Sequence, residues 1–213
     1  MKSKMLRSGL PVAGALALIG GLFFSDVPAY ALLIVEGSTY SMSYATTGYN
    51  EYRVTLDIDT SGYNGGGLFL DEVAIKVSNS LSSDNLPWLS STPGGRSDWN
   101  LQAGGLNANG CNGKGQGYIC LDYIGDSWGV PVKPVNNESY TFEFKLDTGG
   151  GALETAAANN DIKAGYVDDS GKKVGSLVSQ GVDMTTVPEP STLLLVIFGV
   201  TGLAGSMWRR DRK

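Results

Sequence analysis

The chain reads as an all-β protein, a two-sheet antiparallel β-sandwich carried between two processing segments. Three observations predict this: period-two alternation of apolar and polar residues is the dominant pattern, no long amphipathic helix interrupts residues 32–186, and glycines gather in clusters between the alternating stretches. Tyr40, Met42 and Tyr44 mark a first strand. In the second, Tyr52, Val54, Leu56 and Ile58 alternate with Arg53, Thr55, Asp57 and Asp59, giving one dry and one wet face. Val73, Ile75 and Val77 make a third, and Tyr118 to Ile124 a less regular one. Tyr140, Phe142, Phe144 and Leu146 repeat the strict alternation against Thr141, Glu143, Lys145 and Asp147. Residues 162–167 and 172–180 flank Asp168-Asp169-Ser170-Gly171, a hairpin-turn composition. About eight strands result, with one candidate helix over residues 151–159 and a jelly-roll-like strand order as one arrangement. No internal repeat suggests a propeller or solenoid.

Residues 1–31 have the layout of an export signal. Lys2, Lys4 and Arg7 precede the apolar run Leu10 to Phe24, and Ala29-Tyr30-Ala31 supplies the small-x-small site that places Ala29 and Ala31 at signal-peptidase cleavage. The mature chain then starts at Leu32 and uses the general export machinery. Its ectodomain, through residue 187, carries nine basic against eighteen acidic residues, net −9, which the basic termini conceal in the whole-chain value of −5. Such a charge gives nucleic acid no attractive field. The chain has no histidine, which removes Ser-His-Asp triads and imidazole-based zinc sites, and two cysteines are too few for a four-cysteine metal site.

At the other end, Val187-Pro188-Glu189-Pro190-Ser191-Thr192 leads into the charge-free stretch Leu193 to Trp208, followed by Arg209, Arg210, Arg212 and Lys213. Sixteen residues span about 24 Å as a helix, short of a bilayer core of about 30 Å. Including Thr192, with arginines reaching to the interface, gives a transmembrane helix over 192–208 and a cytoplasmic basic tail over 209–213. The prolines hold Glu189 on a stiff, extended stalk beside the membrane. The ordered triple of Pro-Glu-Pro-Ser-Thr, short apolar helix and arginine cluster resembles the PEP-CTERM sorting signal of Gram-negative bacteria over residues 187–213. That resemblance implies recognition at Pro188, Glu189 and Pro190 by an exosortase, a membrane-embedded cysteine transpeptidase. It further implies release from a transient inner-membrane anchor and delivery to the cell surface or exopolysaccharide matrix. The plain alternative is a permanent single-pass anchor.

Within the ectodomain, Cys111 and Cys120 are the only thiols and both are exported, so they are expected to pair. A loop of this size stabilises by roughly 2–3 kcal/mol on the chain-entropy account. Asp57-Ile58-Asp59-Thr60-Ser61-Gly62 fits the opening of a calcium loop, but Leu68 stands where a bidentate glutamate is needed. Asp57 and Asp59 are therefore a weak calcium candidate beside the plainer reading as a solvated strand end, and no cofactor is assigned. Trp88, Trp99 and Trp128 lie in Gly/Pro/Ser-rich segments, where aromatic rings form platforms for sugar C–H faces; the competing reading is that they plug the core.

No catalytic residue is assigned. The expected function is that of a non-enzymatic surface or matrix protein. One alternative is a carbohydrate-binding module for matrix polysaccharide. The other is a glycoside hydrolase using paired carboxylates such as Asp57 with Asp59, or Glu143 with a cross-strand partner.

Overall fold

Strand β3 (Glu51–Asp59) pairs without a break along β11 (Ser139–Asp147), from Glu51 opposite Asp147 to Asp59 opposite Ser139. Strict alternation fixes this register: Val54, Leu56 and Ile58 face the interior opposite Phe144, Phe142 and Tyr140, and slipping by one residue would turn the whole set to solvent. The structure is a computed structural model and describes residues 32–187 except 80, 82–85, 114, 133–137 and the side chains of 175–177. The export signal with Ala29 and Ala31, the sorting residues Pro188, Glu189 and Pro190, and the apolar helix and basic tail beyond them lie outside the described residues.

The first sheet runs in the order β1 (Leu33–Val35), β2 (Ser38–Gly48), β3, β11, β5 (Trp88–Ser91), with β14 (Thr185–Thr186) also on β2. The second runs β13 (Lys173–Gln180), β12 (Asp161–Val167), β4 (Phe69–Lys76), β9 (Tyr118–Tyr123), β6 (Trp99–Ala103), with β10 (Val130–Pro131) on β4. Pairing in both is antiparallel except for β14 on β2. One hydrophobic cluster joins the inward faces: Met42, Leu56 and Phe142 of the first sheet meet Val73, Ile75, Leu121 and Ile162 of the second. Each such side chain contributes about 1.5–3 kcal/mol by leaving water. A small hairpin, β7 (Gly105–Asn107) with β8 (Gly110–Gly113), forms a third sheet, and the Cys111–Cys120 disulfide ties it to β9 with a Cα–Cα distance of 5.6 Å.

The sandwich and its long strands match the expectation from sequence, and three details do not. Residues 151–159 form no helix. Their backbone instead crosses between the sheets, where the Glu154 N–H donates to the Val77 carbonyl and the Met184 N–H to that of Thr155. The jelly-roll order is absent: β2–β3 and β12–β13 stay adjacent as sequential hairpins, and β4 lies between β12 and β9. Strands also outnumber the expected eight, because pieces of two to five residues such as β1, β5, β7 and β14 are too short to show a period.

Trp99 is a correction to the proposed sugar platform. It opens β6 only 5% exposed, edge-on to Phe142 at 5.0 Å and to Tyr123 at 5.2 Å, and its indole N–H donates to the Pro93 carbonyl at 2.9 Å. Burial with its one polar atom satisfied makes it a core residue. Trp88 and Trp128 are 59% and 52% exposed and do not plug the core. Thermal and urea melts should therefore separate the three: Trp99→Ala loses about 3–5 kcal/mol, whereas Trp88→Ala and Trp128→Ala stay within about 1 kcal/mol of the parent.

Candidate functional site

Strand β4 breaks its alternation at Asp71. Leu70 pairs with Tyr166 and Glu72 with Gly165, so Asp71 is an extra residue bulged out of the ladder with β12. On the other side of β4, Glu72 stands opposite Asp122 of β9. The bulge brings one carboxylate oxygen each from Asp71, Glu72 and Asp122 within 4.8 Å of one another. Glu72 is only 3% exposed, and the ammonium of Lys173 on β13 makes an ion pair with its Oε2. Glycine makes room for the carboxylate on two sides, because a Cβ at Gly110 would come 2.7 Å from Oε1 and one at Gly165 would come 2.9 Å from Oε2.

Burial raises the pKa of all three acids. Asp71 is pushed up to about 7, by desolvation first and then by the charges of Glu72 and Asp122, with Lys173 opposing. Glu72 is held down in part by its hydrogen bond to Lys173. These are hard oxygen donors of the kind that suits calcium or magnesium, and among the described residues they are the ones that would hold such an ion. One charge of the set is already matched by Lys173. Sequence reading missed the cluster because Asp122 meets the other two only through the β4–β9 register; the adjacent acids Asp71 and Glu72 inside an apolar strand were the visible signal.

The residues singled out from sequence lie elsewhere. Asp57 accepts a hydrogen bond from the Thr141 hydroxyl at 2.6 Å, and the Asp59 carboxylate accepts the Ser61 N–H at 2.8 Å in a local turn. These carboxylates satisfy local donors, and the converging acids are a different set. Opposite Asp57 are Ser41 and Thr141, and opposite Glu143 are Thr55 and Ser91, so neither acid faces a cross-strand carboxylate. Trp88 stands on the edge strand β5 with the Arg96 guanidinium stacked 3.9 Å from its ring centroid. Beside it, Leu89, Arg96, Ser97, Trp99 and Leu101 line a groove of about 450 Å³. Trp128 lies instead over the β12–β13 turn, against Gly171.

The described chain ends on β14, which pairs with Ser43 and Tyr44 of β2, and the Val187 N–H donates to the Tyr44 carbonyl at 2.8 Å. The family model for the PEP-CTERM protein-sorting motif matches residues 186–213. The chain carries a PEP-CTERM sorting motif at its C-terminal end. Its motif implies an exported, exosortase-targeted protein with a C-terminal sorting signal that leads to the cell surface. No curated protein and no solved structure matches it significantly. The matched region begins at Thr186, within the last strand among the described residues, so sheet and sorting motif adjoin.

The acidic cluster makes stability depend on pH. A carboxyl whose folded pKa lies above its unfolded value of about 3.9 binds its proton more tightly in the native state. Its stabilising contribution is complete below the unfolded pKa and disappears as pH rises through the folded pKa, about 7 for Asp71. The melting temperature should thus fall between pH 5 and pH 8, measured by circular dichroism at fixed ionic strength, and Asp71→Asn should flatten that fall.

Proposed function

We propose that this is a non-enzymatic protein of the exopolysaccharide layer, processed at both ends and placed at the surface by its exosortase signal. The observation that carries the reading is the sorting-motif match over residues 186–213, adjoining an all-β domain. Signal peptidase cuts after Ala31, and exosortase recognises Pro188, Glu189 and Pro190 while residues 192–208 hold the chain in the inner membrane. An acidic, disulfide-containing sandwich suits a structural or interaction role outside the cell, where thiols oxidise and net charge keeps the domain soluble.

A second reading is favoured by the exposed tryptophans. Trp88, with Arg96 stacked on it beside a groove, offers an aromatic face and a charged fork to a saccharide chain. Trp99 drops out of this set, and Trp128 would make a separate contact over the β12–β13 turn.

Each reading has its own test. Intact mass of the secreted protein should give a chain that begins at Leu32 and lacks residues 193–213. Replacing Pro188, Glu189 and Pro190 together by alanine should leave the unprocessed form in the membrane, and unchanged release would overturn the sorting role. For the second reading, titration with matrix polysaccharide should quench tryptophan fluorescence. Trp88→Ala should weaken that binding by roughly two- to tenfold with the melt unchanged.

A further inference from the structure

The carboxylate cluster around buried Glu72 is joined by a nucleophile, and that combination supports chemistry beyond an ion pair. Lys173 sits on β13, the edge strand of the second sheet, while Glu72 sits on central β4 with β12 between them. Gly165 of β12 pairs with Glu72 and has no side chain to obstruct the lysine's reach across that strand. The Glu72 carboxyl is walled in by Gly110 and Gly165, almost wholly out of water, with the Lys173 nitrogen against one of its oxygens. Two further carboxyls, of Asp71 and Asp122, lie within 4.8 Å of it. An amine held at a desolvated carboxyl with two proton carriers alongside is the arrangement amide formation needs.

We propose that Lys173 Nζ and Glu72 Cδ condense to an amide, an intramolecular cross-link between β13 and β4, with Asp122 and Asp71 moving the protons. Proton transfer within the ion pair gives a neutral amine and a carboxylic acid, the pair from which attack can proceed. The Nζ lone pair attacks Cδ and forms the C–N bond, and a proton from nitrogen passes to the Asp122 carboxylate. The Cδ–OH bond then breaks as the hydroxyl takes a proton from Asp71 and leaves as water. Proton exchange between Asp122 and Asp71 restores both to their starting forms. One water is lost, and neither oxidant nor cofactor is consumed. Asp71 suits the donor role because its carboxyl lies within 4.8 Å of Glu72's and it directly precedes Glu72 at the bulge of β4. The neutral amide also removes a charge pair whose burial is costly.

The test is a reduced tryptic map of the full chain, expressed with its own signals and purified after export. The expected product is peptide 54–76 joined to the peptide that begins at residue 173, one water lighter than their sum and stable to boiling in detergent with reductant. Lys173→Arg keeps a cation beside Glu72 and should abolish the linked peptide. Asp71→Asn, followed by pulse labelling, should slow its appearance by on the order of 10²-fold. Separate peptides alone from the parent protein overturn the proposal, whatever the variants do. A linked peptide that forms at the parental rate in Asp71→Asn overturns the role given to Asp71.

Discussion

Strand β4 is covered on both faces, and the second sheet is arranged around that constraint. Its inward residues Leu70, Val73 and Ile75 close the main core, while outward Ala74 packs in a second small cluster with Leu106, Cys111 and Cys120. A strand buried on both sides has no place for large outward side chains, so the covering hairpin β7–β8 approaches over alanine and glycine. The disulfide holds that cover in place: both cysteines belong to the cluster it seals, which adds a covalent constraint to a very small apolar contact. Glu72 is the exception on this face, and its burial draws in Lys173, Asp71, Asp122 and the glycines around them.

A second buried polar arrangement links the two sheets across the core. The Tyr40 and Tyr166 hydroxyls hydrogen-bond across the core, and the Tyr166 hydroxyl also reaches the Ser38 Oγ at 3.5 Å. Tyr63 stacks on Tyr166 with centroids 4.6 Å apart, and its hydroxyl accepts the Gly67 N–H at 3.1 Å. Burial pushes the Tyr63 hydroxyl up to about 12 and those of Tyr40 and Tyr166 well above their ordinary range, so all three stay neutral hydrogen-bonding groups at physiological pH. These hydroxyls satisfy one another where unpaired polar atoms would be costly, and a specific set of bonds between β2 and β12 fixes how the two sheets stack.

The parts of this architecture legible in the sequence are those governed by local periodicity. β3 and β11 declare themselves because each has one wet and one dry face over nine residues. The β12–β13 turn is visible because its own residues build it, the Asp168 carboxylate accepting the Ser170 and Lys172 N–H groups and Gly171 supplying the positive φ. Trp99 and Trp88 stand in similar local sequence, and only the pairing of β6 with β9 decides that one is buried. The acidic cluster was hidden for the same reason, since it exists only once a bulge and two strand registers coincide. The candidate helix at 151–159 failed because helical propensity in Ala156, Ala157 and Ala158 had no apolar stripe to bury, and the segment's hydrogen bonds went to Val77 and Met184 instead.

β1 and β14 share one side of β2, the first pairing with Ser38 to Tyr40 and the second with Ser43 and Tyr44. Both ends of the described chain therefore emerge along a single margin of the first sheet. A domain held through residue 187 hangs from that margin like a flag from its pole. Strand β5 is at the opposite margin, so Trp88 and the Arg96 stacked on it stand across the first sheet from the edge along which residue 187 leaves.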